Sequence, residues 1–324
     1  MIDVHSHMLL PEWMAAATAA GMPPPGGMMV AGLPAPSWSI ESHLAVMDEH
    51  GITASILSWP RATFFLRGKA ARDLARSMNE ALAKVVRAHP KRFGAFAVLP
   101  LEDLSATMEE MAYALDVLGL DGVSCSTNIE GAYLGDSRFD EWFTEMNRRA
   151  VTLFIHPALP KGTDQIGTGL NAAILEFMFD STRMATNMVL SGAKKRFSDI
   201  RMICTHAGGT VPFLASRIGI LEPLFGAGPG RPVLSAGEVL EGLSTFYFDL
   251  TASTSEASLD ALRHLVPASQ LLAGYDFPMM PASTISPAME RLERYPGFAE
   301  AERRMIRTGN GLGLFPRLAS ANWT

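Results

Sequence analysis

Two histidines close the apolar opening IDVHSH, at positions 5 and 7. In a strand, residues two apart project to the same face, so His5 and His7 could grip one metal ion between them. A histidine pair on a wet strand surface is the plain alternative. Further along, His156 ends the run TLFIHP, His206 stands in MICTHAGG, and Asp276 stands in LLAGYDFP. Each alone reads more readily as a satisfied core histidine or a capping aspartate. Five such residues at equivalent ends of apolar runs ask for a common explanation.

That explanation lies in the elements that carry them. Short apolar runs at 2–5, 53–58, 93–98, 121–125, 151–155, 201–205, 245–250 and 270–274 read as strands. Between most of them lie segments with helical spacing of apolar residues, such as 69–88, 103–118 and 171–190. Eight strands alternating with helices in a chain of 324 residues predict an α/β fold, a (β/α)8 TIM barrel, with 1–324 as a single domain. No GxGxxG follows the first strand, which weakens a dinucleotide-binding reading. In such a barrel the C-terminal strand ends open to substrate, which gathers His5, His7, His156, His206 and Asp276 on one rim. The remaining histidines, His43, His50, His89 and His264, fall on helices or their ends and read as structural. Residues 21–38, rich in proline, glycine and methionine, predict a covering loop, and 223–240 predict a surface excursion.

Composition narrows the function classes. The chain is 48% hydrophobic and 19% charged, with a net charge of -6 and no basic cluster, so no nucleic-acid partner is expected. Cys125 and Cys204 lie on separate apolar segments without CxxC spacing, which suits a reducing compartment. With no signal-like start and no long apolar span, the expectation is a soluble cytoplasmic protein without a membrane partner.

Taken together, IDVHSHMLLPEW, HPKRFGAFAVLPLED, FIHP, THAGGTVPFLASRI and GYDFP resemble the amidohydrolase superfamily in its decarboxylase branch. That branch includes aminocarboxymuconate semialdehyde decarboxylase, 6-methylsalicylate decarboxylase and γ-resorcylate decarboxylase. YLGDSRFDEWF and EFMFDSTRMATNMVLSG come nearest to the 6-methylsalicylate type. The resemblance implies that His5, His7, His156 and Asp276 hold the metal and that His206 hydrogen-bonds the water on it. Where many relatives carry a small hydroxyl residue, this chain has Tyr275, which alters the shape of the pocket rather than the position of the carboxylate.

Imidazoles and a carboxylate suit one divalent ion, Zn2+ first and Mn2+ second, with a position open for water or substrate. Strand four ends GVSCSTN, without the lysine or glutamate that bridges two metals in binuclear relatives, so a mononuclear site is expected. Such a site can run hydrolysis or decarboxylation. The resemblance favours non-oxidative decarboxylation of an ortho-hydroxybenzoate or muconate-semialdehyde acid, with Asp276 donating a proton to the ring and His206 assisting. A metal-dependent hydrolase or hydratase acting on a lactone, amide or conjugated diacid is the alternative, and a non-catalytic binding protein a more distant one. Met8, Trp13, Trp59, Phe64, Phe65, Phe277, Met279 and Met280 flank the motifs, and Trp59, Phe277 and Arg61 are candidate substrate contacts. Arg217 follows His206 by eleven residues, along a helix starting near Thr210. At 1.5 Å per residue that is about 15 Å, too far to reach its own metal. The semialdehyde decarboxylases resembled here carry an arginine at this spacing that enters the neighbouring subunit's site and holds the substrate carboxylate. A homodimer sharing its sites through Arg217 is therefore expected.

Overall fold

The computed structural model describes residues 1–21, 36–59, 65–159, 162, 170–226, 228 and 230–320. Eight parallel strands form the sheet: β1 (Ile2–His7), β2 (Ala54–Ser58), β3 (Phe93–Ala97), β4 (Gly122–Ser126), β5 (Thr152–His156), β6 (Arg201–Cys204), β7 (Tyr247–Asp249) and β8 (Leu271–Leu272). Each pairs with the next in parallel register. The first and last meet through Val4 N–H to Ala273 O at 3.0 Å, His7 N–H to Phe277 O at 2.8 Å and a parallel bridge between Ser6 and Phe277. The sheet thus curls into the expected (β/α)8 barrel. Its strands read as unbroken apolar runs because helices cover the outside and side chains fill the inside.

Inside the barrel, Ile2, Val4, Ile56, Phe96, Phe154, Ile203 and Leu272 form one cluster, which Leu314, Phe315 and Leu318 of the C-terminal segment join. The outer layer comprises α1 (Pro11–Ala19), α2 (Ile40–Glu49), α3 (Gly68–Ala88), α4 (Leu104–Ala112, extended by a wide turn over Tyr113–Val117), α5 (Asp140–Arg148), α6 (Glu176–Leu190), α7 (Ala193–Arg196), α8 (Val211–Phe225), α9 (Ala236–Ser244), α10 (Glu256–Leu265) and α11 (Ile285–Arg294). Helix α3 shows why such segments fold. Leu74, Met78, Leu82 and Val86 recur at helical spacing and are buried against the sheet.

Two sequence expectations need correction. The helix expected over 171–190 begins only at Glu176, because Asn171 Oδ1 accepts the Ala173 N–H in a local turn that competes with helix at 3.0 Å. The excursion expected over 223–240 shrinks to the loop between α8 and α9. Residues 223–225 finish α8, and a capping box between Ser235 and Glu238 starts α9. Most of the expected covering loop, residues 22–35, lies outside the described residues. No helix among the described residues is long and apolar enough to cross a membrane.

Candidate metal centre and active site

At the end of β1 the strand alternation is broken. The pairing of β1 with β2 shifts register between Asp3 and Ser6, a bulge that re-aims side chains. Val4 packs inside the barrel, and the very next residue, His5, sets its ring edge-on to the inner Phe154 with centroids 5.0 Å apart. His7 lies 5.1 Å from His5, ring to ring. The bulge is held by the buried Asp3, whose carboxylate accepts the His5 N–H at 3.0 Å, the Ser6 hydroxyl and the Tyr275 N–H at 3.2 Å.

His5, His7, His156 and Asp276 come together as expected: their ligand atoms all lie within 4.8 Å of one another, and all four residues are buried. The hydrogen bonds behind the imidazoles decide which nitrogen faces the centre. His5 Nδ1–H donates to Asp249 Oδ2 at 2.9 Å. Ser58 uses its own proton on Ser6 O, so its oxygen accepts from His7 Nδ1–H at 2.8 Å. His156 Nδ1–H donates to Pro157 O at 3.0 Å. With Nδ1 protonated in all three, each Nε2 presents a lone pair. Asp276 Oδ1 stands 2.8 Å from His7 Nε2 and 3.5 Å from His5 Nε2, yet without hydrogen-bond geometry. The buried Nε2 atoms of His5 and His7 and Oδ1 of Asp276 have no hydrogen-bond partner among the described residues. Buried lone pairs converging on one point fit a divalent cation.

The local field agrees. Burial opposes ionisation of Asp276, but His5 and His7 outweigh it and hold the carboxyl well below the usual range. Burial pulls His7 and His156 below the imidazole norm and His206 down to about 4, which keeps these rings neutral. His5 is the exception, since Asp249 and Asp276 overcome its burial and raise it.

His206 completes the rim, 4.9 Å from His5 and 5.6 Å from His156 between ring centroids, with Nε2 buried and unpartnered among the described residues. Its backbone is left-handed (φ 52°), as is that of Asp276 (φ 60°), and such strained residues persist only where surrounding structure holds them. The turn after His206 runs so close to α6 that a Cβ on Gly209 would sit 2.0 Å from Met178 O. Gly274 similarly leaves room for Thr251 and His5, whose atoms would lie 2.7 and 2.9 Å from an added Cβ.

Besides Asp3, two supporting carboxylates were not singled out from the sequence. Besides His5, Asp249 accepts the backbone N–H groups of His206 and Thr251, each at 3.0 Å. Its signal was a lone carboxylate at the end of the apolar run FYFDL. Asp180 of α6 accepts the Ala158 N–H at 3.0 Å, the Tyr133 hydroxyl at 2.8 Å and the Thr127 hydroxyl, and so fixes the chain just beyond His156.

Around this centre, Trp59 is buried against Trp13 at 4.9 Å, and its indole N–H has no acceptor among the described residues. Phe277 is half-buried and packs on His43 at 5.1 Å. Tyr275 leaves the ligand cluster clear, for its hydroxyl reaches Met1 Sδ at 2.9 Å. His43 accepts the Trp38 indole N–H at 2.8 Å, a structural role. Cys125 and Cys204 are buried and free. Arg61 and Phe64 lie outside the described residues. Arg217 is exposed on α8.

Comparison with known proteins agrees with this geometry. The Amidohydrolase family profile matches residues 2–317. A 6-methylsalicylic acid decarboxylase of Penicillium expansum is 34% identical over 322 residues, covering 98% of this chain and 96% of that protein. The crystal structure of 5-carboxyvanillate decarboxylase from Sphingomonas paucimobilis superposes with a TM-score of 0.85 at 22% identity, covering 98% of each chain. A dihydroxybenzoic acid decarboxylase from Polaromonas sp. JS666, with bound manganese and 2-nitroresorcinol, superposes with a TM-score of 0.80 at 22% identity, covering 97% of this chain and 96% of that one. With its barrel, its rim of histidines and a match over nearly its whole length, this chain belongs to the amidohydrolase family.

Proposed function

We propose that this protein is a metal-dependent carboxy-lyase that removes carbon dioxide non-oxidatively from a small aromatic acid of the ortho-hydroxybenzoate type. The observation that carries the reading is the buried cluster of three imidazole lone pairs and the Asp276 carboxylate, in a chain matched end to end by a 6-methylsalicylic acid decarboxylase. His5, His7, His156 and Asp276 hold one divalent ion, zinc with manganese as the alternative, which supplies a Lewis acid for the substrate's carboxylate and neighbouring hydroxyl.

The chain's own residues do the rest. Trp59 and Phe277 wall the ring, and Arg61 is a further contact. Asp276, ionised at rest, takes the proton of the ortho-hydroxyl and delivers it to the ring carbon that bears the carboxylate. The bond to the carboxylate then breaks, its electron pair restores the aromatic ring, and carbon dioxide departs. The phenolate left behind takes one proton from water, so each turnover consumes one proton. His206, neutral and beside both His5 and His156, steadies the charge on Asp276 while the proton moves.

Arg217 fits a site shared between two copies. On α8 it lies between the exposed Phe213 and Ile220, with Leu224 one further turn on, and these three are 82%, 59% and 70% exposed. An apolar stripe of this kind suits a second copy, and the guanidinium within it would offer a two-pronged grip on the partner's substrate carboxylate. The reading is thus of a homodimer, and two buried cysteines without a disulfide suit a reducing compartment such as the cytoplasm. The test is turnover of 6-methylsalicylate in D2O: one deuteron at the carbon that carried the carboxylate is expected, and a product retaining its carboxyl group would refute the reading.

A further inference from the structure

Opposite the histidine rim, where β6, β7 and β8 begin, the barrel carries a separate cavity of about 410 Å3. Its walls include Lys194, Ser198, Arg201, Tyr247, Ser269 and Gln270, and no carboxylate lines it. Three cations follow one another in the segment GAKKRF, and α7 turns only the first of them, Lys194, inward. Lysine is rarely buried without a counter-charge, yet this side chain belongs to a residue only 6% exposed. Its ammonium stands over the Phe246 ring at 5.2 Å and meets no acceptor or carboxylate among the described residues. Burial pulls its pKa down to about 8, which leaves it mainly charged at neutral pH. Arg201 adds a second unused donor: Nη2 donates to Ala150 O at 2.7 Å, while Nε is buried without a partner among the described residues.

A largely buried charge is costly unless something compensates it, and here the described residues supply only the face of the Phe246 ring. An oxyanion would bring both the opposite charge and acceptors for the lysine, the arginine and the neighbouring hydroxyls. We propose that this cavity is a binding site for a small molecule with an oxyanion head, phosphate or carboxylate, and that Lys194 is its principal contact. The site does not depend on the reaction at the other end of the barrel.

The experiment titrates sulfate, inorganic phosphate and acetate into metal-loaded protein at matched ionic strength, following binding heat and melting temperature. Wild-type protein should bind a tetrahedral anion saturably in the millimolar range. Lys194→Met, which removes a buried charge and so should fold well, should weaken that binding about tenfold or more, as for loss of a charged hydrogen bond. Ser198→Trp should do the same by filling the cavity while leaving the ammonium in place. Saturation by acetate alone, lost in the same variants, would still support the site and make its ligand a carboxylate. No saturable binding by the wild type, or equal binding by Lys194→Met, would overturn the proposal.

Discussion

Replacing Asp249 with asparagine keeps the volume of the side chain and removes one acceptor oxygen, and the structure forces a choice on what remains. Asp249 Oδ2 accepts from His5 Nδ1 at 2.9 Å, and Oδ1 accepts two backbone N–H groups at 3.0 Å. If the asparagine oxygen stays on the backbone donors, its NH2 faces His5 Nδ1, and the imidazole either moves its proton to Nε2, which is the ligand atom, or keeps it against the amide with only the Thr251 hydroxyl, at 3.1 Å, as acceptor. If the amide flips, its NH2 opposes two N–H donors and both lose their acceptor. Either way a ligand is weakened, and loss of a carboxylate that orients a metal-binding histidine costs about 10- to 100-fold in metal affinity, or roughly 1.4–2.7 kcal/mol. The assay is competition with a chromophoric chelator, alongside activity at saturating metal. Metal affinity within about twofold of wild type would refute the reasoning, because it would mean that the Asp249–His5 pair does not set the tautomer.

His5→Ala should lower metal content, whereas His206→Ala should keep most of the metal and lose most of the turnover; equal metal loss in both would make His206 a ligand. Because His5 is raised above the usual imidazole value and must be neutral to bind, protons compete with the metal already around neutral pH. Metal retained after dialysis should therefore fall as pH drops through neutrality, and retention unchanged down to about pH 5, below the usual imidazole range, would contradict this. Arg217→Ala should weaken substrate handling by about 1.5–3 kcal/mol without loss of metal. Mixed with inactive His206→Ala subunits, it should recover up to about a quarter of the sites, and no recovery after verified subunit exchange would rule out a shared site. The Lys194 pKa is lowered from 10.5 to about 8 on folding, so the unfolded chain binds more protons between those values and stability gains with rising pH there, by at most about 3 kcal/mol. The melting temperature of Lys194→Met should exceed that of wild type near neutral pH, and the gap should close towards pH 10.

Much of this was legible in the sequence because a parallel barrel writes its strands as apolar runs and its chemistry at their ends. His156 closes β5, His206 follows β6, and the expected strand bounds shift by only a few residues. Less legible was whatever depends on pairing between distant segments. The register shift in β1 arises from side-chain and backbone bonds that Asp3 makes to Ser6 and to Tyr275, which lies at the other end of the sequence. The role of Asp249 likewise comes from a contact to His5, at the other end of the sequence, and that of Asp180 from contacts to Thr127 and Ala158. Helix α8 shows a different limit. Its apolar spacing is that of a buried face, but Phe213 and Leu224 point outward, which fits the second copy proposed for this face.

The central claim is carboxy-lyase chemistry at the histidine rim, and the most direct measurement is stoichiometry. Metal-loaded protein would be incubated with a panel of ortho-hydroxybenzoates, 6-methylsalicylate among them, in weakly buffered solution, with carbon dioxide, phenolic product and proton uptake all recorded. The account predicts one carbon dioxide released and one proton consumed per phenol formed, with all three lost on chelation and restored by metal. Turnover of a lactone or amide with proton release, and no carbon dioxide from any acid in the panel, would contradict it.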